Sequence, residues 1–131
     1  HYRDLYPFLK DQPKFLFEYG QCLSKTGQYE EGIRILTEGT RLSADPMFYN
    51  IMGKDAEALK HFGQAEACFK QASYMVPHRL YPLYLLAKMY FESGQSEKGR
   101  DMARQVIQKE PKVMSDAVKE MKAELEERLK P

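Results

Sequence analysis

Cys22, Cys68, His1, His61 and His78 are the residues best suited to ligate a soft metal or to serve as nucleophile and base. Their spacing favours neither role. No two histidines fall on one helix face, and neither cysteine has a second ligand within a few residues, as a zinc site requires. Two thiols 46 residues apart, each inside a helical pattern, read as small buried apolar residues in preference to a disulfide or a metal pair, and leave the redox compartment open. Nucleophilic catalysis needs a base held beside the nucleophile, yet the sequence has no Gly-rich elbow, phosphate-cradling loop or carboxylate pair in an apolar setting. Gly53-Lys54 lacks the earlier glycine and the following Ser or Thr of a phosphate loop. The glutamates near the end read as a solvated face. This stretch is therefore expected to carry no catalytic residue, cofactor or metal. Lys54 and Lys88, at equivalent points of a repeating pattern, keep anion binding open.

That repeating pattern is what must position these side chains. The chain echoes itself three times at a spacing of 33 to 34 residues: Gly20, Gly53 and Ala87 are equivalent, Gly32, Ala65 and Gly99 follow by 12, and Ala44, Pro77 and Pro111 by another 12. Small residues at fixed offsets within helical patterns mark where helices approach closely, so their repetition predicts stacked helical hairpins. A stack of hairpins is a surface for holding a partner.

From Pro13, Leu16, Tyr19, Gly20 and Leu23 recur at helical spacing until Thr26-Gly27-Gln28, where glycine closes the helix. A second helix is expected from about Glu30 to Leu42, with Gly32, Ile33, Leu36 and Gly39 on one stripe. The next hairpin places Phe48, Ile51, Met52 and Gly53 on one helix and Ala65, Phe69 and Ala72 on the other. The third has Leu83, Leu86, Ala87 and Tyr90, a turn at Gly94-Gln95, then Gly99, Met102, Ala103, Val106 and Ile107. Asp11 and Asp45, each close before a proline, read as helix starts. Ser115 opens a last helix with Val118, Met121, Leu125 and Leu129 on an apolar stripe. On its other side Glu124 with Arg128 and Glu126 with Lys130 are spaced to pair, as in a helix that caps an open-ended stack. Residues 1–12, with Leu5, Tyr6, Phe8 and Leu9 around Pro7, read as the end of a preceding helix and a connection. The expected fold is all-α, an alpha-alpha superhelix of about three hairpins plus a C-terminal capping helix.

Composition narrows the partners. In 131 residues, 20 basic side chains face 19 acidic ones, a balance that argues against nucleic acid and anionic membranes. The richest apolar run, Leu80 to Met89, is broken by Pro82 and Lys88 and falls short of the roughly 20 residues of a membrane span. The chain begins at His1 without a signal-peptide pattern, and is expected to be a piece of something longer.

The repeat resembles the tetratricopeptide repeat. The middle copy, from Pro46, carries Gly53, Ala65, Phe69, Ala72 and Pro77; the third, from Leu80, keeps Ala87, Tyr90, Gly94, Gly99 and Pro111; the first, from Pro13, keeps Gly20, Gly27, Tyr29 and Gly32. The departures are Ala44 at a proline position, the absence of tryptophan, Ala56 in place of an aromatic, and Lys60 where the turn usually has glycine. That last turn is expected to be distorted or shifted toward Gly63. The resemblance implies repeats at 13–45, 46–79 and 80–113, with the cap at 114–131. It also implies a concave groove lined by the first helix of each pair, and points to Phe17, Gln21, Lys25, Asn50, Lys54, Tyr81, Tyr84, Lys88 and Phe91, with Lys14, Ser24, Met47, Glu57, Ala58 and Glu92 beside them. A groove of aromatics and scattered charges suits a protein or extended peptide, or a polysaccharide stacked on Phe17, Tyr84 and Phe91. A carboxylate clamp would need cations where Phe17, Tyr81 and Leu85 stand.

A narrower resemblance covers almost the whole chain. LYPFLKDQPKFLFEYGQCLSKTGQYEEGIRIL, DPMFYNIMGK, PHRLYPLYLLAKMYFESGQ and PKVMSDAVKEMK look like the C-terminal repeat segment of O-antigen ligase or polymerase-type membrane proteins of the Bacteroidetes group. This resemblance implies a periplasmic tail that positions a partner beside an envelope glycan enzyme whose catalytic portion lies elsewhere. A free-standing adaptor, cytoplasmic in that case, is the alternative. A further expectation is self-association through Tyr2 to Leu9, where Leu5 and Phe8 are apolar.

Overall fold

Apolar residues three and four apart resolve into eight helices in the computed structural model, which describes residues 1–111 and 113–131. They are α1 (Tyr2–Leu9), α2 (Pro13–Lys25), α3 (Tyr29–Thr40), α4 (Met47–Ala58), α5 (Phe62–Met75), α6 (Tyr81–Glu92), α7 (Ser96–Gln108) and α8 (Asp116–Leu129). No strand occurs among the described residues. Lys112, within the expected third repeat, lies outside them.

The pairs α2–α3, α4–α5 and α6–α7 form the three hairpins, each packed on the next through α3–α4 and α5–α6. The small residues mark the close approaches. A Cβ on Gly20 would fall onto Leu36, one on Gly39 onto the Phe48 ring, and one on Gly53 onto the Phe69 ring. The core therefore runs as consecutive clusters along the stack. Phe15, Leu16, Tyr19, Leu23 and Ile35 lead to Leu36, Phe48, Met52 and Cys68. Ala56, Ala65, Phe69, Leu86 and Met89 follow, and Leu80, Ala87, Ala103, Val106 and Leu125 close the row. Each hairpin buries its apolar face only against its neighbours, as in other repeat arrays.

All three hairpin turns close alike. Gly27 and Gly94 take φ of 81° and 78°, and Lys60 takes 61°. The following amides donate back across the helix end: Gln28 to Leu23, His61 to Ala56 and Gln95 to Tyr90, each at 2.8 Å. The expected distortion at Lys60 is absent, and the turn has not moved toward Gly63. The Cβ strain of a left-handed lysine is smaller than the loss of a helix-closing bond pattern whose geometry the stack dictates.

α1 packs back on the first hairpin, with Tyr2 stacked on Tyr19 at 5.6 Å and the Tyr6 hydroxyl donating to Glu38. Some local expectations are corrected. Asp11 sits one residue too early to cap α2, whose N-cap is Gln12 without a side-chain bond. Asp45 Oδ1 does accept the Met47 amide at 2.9 Å, and Ser115 Oγ that of Val118 at 3.2 Å. α3 ends at Thr40, and Arg41, Leu42 and Ser43 turn back onto the carbonyls of Glu38 and Gly39.

The capping helix does more than cover apolar surface. Leu125 is fully buried, with Val118, Met121 and Leu129 packed beside it. The expected pairs within α8 do not form. Glu124 instead accepts the Tyr84 hydroxyl at 2.7 Å and pairs with Lys88 at 3.0 Å, the Arg128 guanidinium lies 4.6 Å from the Phe91 ring centroid, and Lys130 pairs with Glu127. Partners on α6, partly shielded from water, outcompete a solvated pair one turn along the same helix. Lys122 donates to the carbonyls of Ile107 and Lys109, satisfying the C-terminal end of α7.

Candidate partner-binding groove

The first helices of the three hairpins, α2, α4 and α6, stand side by side, and three cavities open between them. A volume of about 400 Å³ is lined by Lys14, Phe17, Gln21 and Phe48; here Phe17 meets Phe48 edge-on at 5.2 Å. The next, about 320 Å³, is lined by Gln21, Lys25, Ile51, Lys54 and Asp55. The third, about 460 Å³, is lined by Lys54, Glu57, Lys60, Leu85, Lys88 and Glu92. Gln21 belongs to the first and second, and Lys54 to the second and third, so the three form one track across the array.

Of the residues picked out from the sequence, Phe17, Gln21, Lys25, Lys54 and Lys88 lie on this track. Asn50 and Tyr81 line a separate cavity at the starts of α4 and α6. Tyr84 and Phe91 are engaged by α8, and Tyr84 also stacks on Tyr81 at 6.2 Å. Lys88 belongs to both groups, because its ammonium reaches Tyr84 Oη at 3.0 Å as well as Glu124. Burial works against the Lys88 charge, but the Tyr84 hydroxyl and the Glu124 carboxylate outweigh it and hold its pKa above the ordinary lysine range.

Charges on the track alternate. Lys25 and Lys54 have no ion-pair partner among the described residues. Burial, aided by repulsion from Glu92, raises the Glu57 carboxyl above its usual range, against the pull of Lys88 and Lys54. Such a surface can pair with either sign of charge on an incoming chain and offers no activated nucleophile. The Cys68 thiol is pushed up to about 11 by burial and by the nearby Asp55 charge, so it stays a thiol at neutral pH.

One buried group at the groove floor went unnoticed in the sequence. Asp55 is 2% exposed, and its Oδ2 accepts the Ser24 hydroxyl at 2.7 Å. Its position three residues after Met52 and four after Ile51, on the inward stripe of α4, was the signal. Glu124 and Arg128 were read as solvated, because nothing in a single helix tells which side of its charged face a neighbouring helix will meet.

Comparison with known proteins follows the same lines. Family models described as tetratricopeptide repeat match residues 13–46 and residues 83–112. Between them, α4–α5 supplies a hairpin of the same construction. Among solved structures, the chain is similar to a crystal structure of MamA, with a TM-score of 0.74 and 15% identity over 97% of this chain and 84% of that one, a likeness of fold. No curated protein matches. Two stretches of the chain thus match the tetratricopeptide repeat, and the fold is a helical stack of that architecture.

Proposed function

We propose that the track between α2, α4 and α6 holds an extended segment of a partner protein, and that the chain is a non-catalytic interaction module. The observation that carries this reading is the continuity of the three cavities through Gln21 and Lys54. Tetratricopeptide repeats generally mediate protein–protein interaction, which supports the same class. Phe17 supplies an aromatic anchor, Lys25 and Lys54 are free to meet carboxylates, and Glu57 and Glu92 meet cations. A photo-crosslinking residue at Gln21 or Lys54 should trap a partner in cells, whereas the same residue at Arg34 or Arg104, on the outer helices α3 and α7, should not. Equal trapping at all four positions would remove the reading.

Protein is favoured over polysaccharide by a specific arrangement. A sugar stacked on Tyr84 and Phe91 would have to displace Glu124 and Arg128 from them. The finer context is that of a periplasmic tail on an envelope glycan ligase or polymerase. Its support is the likeness of the four sequence stretches to such tails, and a cytoplasmic adaptor is its alternative. Reading the coding region upstream of His1 decides between them: repeated apolar runs of about 20 residues support the tail, and a nearby start codon removes it. Self-association through α1 rests on the exposure of Leu5 (38%) and Phe8 (82%). Polar residues at both positions should then shift sedimentation toward monomer.

A further inference from the structure

Three oxygens form a chain between α2 and α4. Ser24 Oγ lies 3.0 Å from the carbonyl oxygen of Gly20, one turn back on α2, and 2.7 Å from Oδ2 of Asp55. Ser24 carries one hydroxyl hydrogen, so by itself it bonds one of these two acceptors at a time. Both bonds form together when Asp55 brings a hydrogen of its own: the carboxylic acid donates to Ser24 Oγ, and Ser24 donates to Gly20. With the carboxyl ionised, Ser24 turns its hydrogen to Oδ2, and that is the one hydrogen bond a 98% buried charge receives among the described residues. Burial with so little compensation disfavours the ionised form.

The groups around Asp55 come from four elements. Lys54 of α4 pulls toward the ionised form, and α5 brings the Cys68 thiol. Lys25 of α2 and Tyr29 of α3 join Lys54 around the cavity of about 320 Å³, in which Asp55 is the one carboxyl. The α6 charges Lys88 and Glu92 act on Glu57. A carboxylate of a partner seated between Lys25 and Lys54 therefore comes to rest beside a like charge whenever Asp55 is ionised, and beside a neutral acid when it is not. We propose that Asp55 makes the groove's hold on an acidic segment proton-coupled, the segment binding the protonated form in preference to the ionised one. Binding then draws one proton from solvent onto Asp55, and by reciprocity a fall in pH tightens binding. Burial places the Asp55 carboxyl at about 6, so the change falls between pH 5 and pH 8. The inference rests on the reading of the track as a partner groove and states what regulates it.

The test is an NMR titration of the ¹⁵N-labelled chain, at pH 5 and at pH 8, with acetyl-Ala-Cya-Ala-Cya-Ala-amide. Cya is cysteic acid, whose sulfonate stands in for a carboxylate and keeps its charge at both pH values. Shifts are expected at Gln21 and Lys54, with affinity about tenfold higher at pH 5. Bound peptide should also raise the midpoint of the Asp55 carboxyl ¹³C titration by about one pH unit. Asp55→Asn, whose amide donates to Ser24 as the acid does, should bind equally at both pH values. Shifts on the track with one affinity at both pH values, or a pH dependence that survives in Asp55→Asn, would overturn the coupling and leave the groove reading intact. An Asp55 midpoint in the parent chain that bound peptide does not move would overturn it without the variant. Absence of shifts at Gln21 and Lys54 at either pH would overturn both readings.

Discussion

Ser24 of α2 donates its hydroxyl hydrogen to Oδ2 of Asp55 on α4, at 2.7 Å, and the Cα of Gly32 on α3 leaves the room for it. A Cβ at position 32 would stand 3.0 Å from both oxygens. The bond joins the first repeat to the second beneath the groove. Burial pushes the Asp55 carboxyl up to about 6, and the hydrogen bond from Ser24 and the charge of Lys54 only partly offset this.

Asp55 should therefore give the fold a recognisable pH dependence. Its folded-state pKa of about 6 exceeds the ordinary 3.8, so its favourable contribution is complete below 3.8 and is lost as pH rises through 6. Between pH 5 and pH 7.5 the loss is about 1 kcal/mol. Urea unfolding of the chain and of Asp55→Asn at both pH values isolates this group: the stability of the parent relative to the variant should fall by that amount on going to pH 7.5. An unchanged difference would mean that the carboxyl titrates normally.

Close packing at the repeat's small positions predicts a contrast between two glycines. Gly53→Ala drives a methyl into the Phe69 ring and should destabilise by about 1–3 kcal/mol. Gly63, in α5, has open space around it, and Gly63→Ala should be neutral or stabilise by up to about 1 kcal/mol. Thermal unfolding of the two variants measures the contrast.

Lys60 occupies a left-handed turn position that Gly27 and Gly94 hold in the other hairpins. Lys60→Gly should stabilise by about 1 kcal/mol by removing the Cβ conflict. A loss of stability in denaturant titrations would show that the lysine side chain contributes more than its backbone costs.

The cap is held by one buried residue and several polar contacts. Leu125→Ala should cost about 2–5 kcal/mol, whereas Glu124→Gln, at a partly solvated pair, should cost no more than about 1 kcal/mol. Chemical unfolding separates the two. Equal losses would make the Tyr84–Glu124–Lys88 cluster the real anchor.

Much of the architecture was legible in the sequence because a repeat states its packing three times. Gly20, Gly53 and Ala87 located the close approaches, and the stripe of Val118, Met121 and Leu125 marked the cap. Misreadings arose where one copy departs from its siblings or where two elements must meet. Lys60 was read as a defect, although its backbone follows the other two turns. Glu124 and Arg128 are spaced to pair with each other, although α6 takes both, Glu124 through Tyr84 and Lys88 and Arg128 through the Phe91 ring. The groove residues were carried over from the family pattern by position alone. Position cannot report that Asn50 and Tyr81 open onto a different cavity from Gln21 and Lys54, since that cavity is also walled by Val76 and Arg79 of the connection after α5.

The claim that the concave track is where a partner sits can be tested directly by mapping a bound peptide. Peptides selected from a displayed library against this chain would be synthesised and titrated into the ¹⁵N-labelled protein. The account predicts shifts running through Phe17, Gln21, Lys54 and Lys88, and a Lys54→Glu variant that binds acidic peptides about tenfold more weakly and basic ones more tightly. Shifts confined to the outer helices α3, α5 and α7, with Lys54→Glu binding as the parent does, would contradict it.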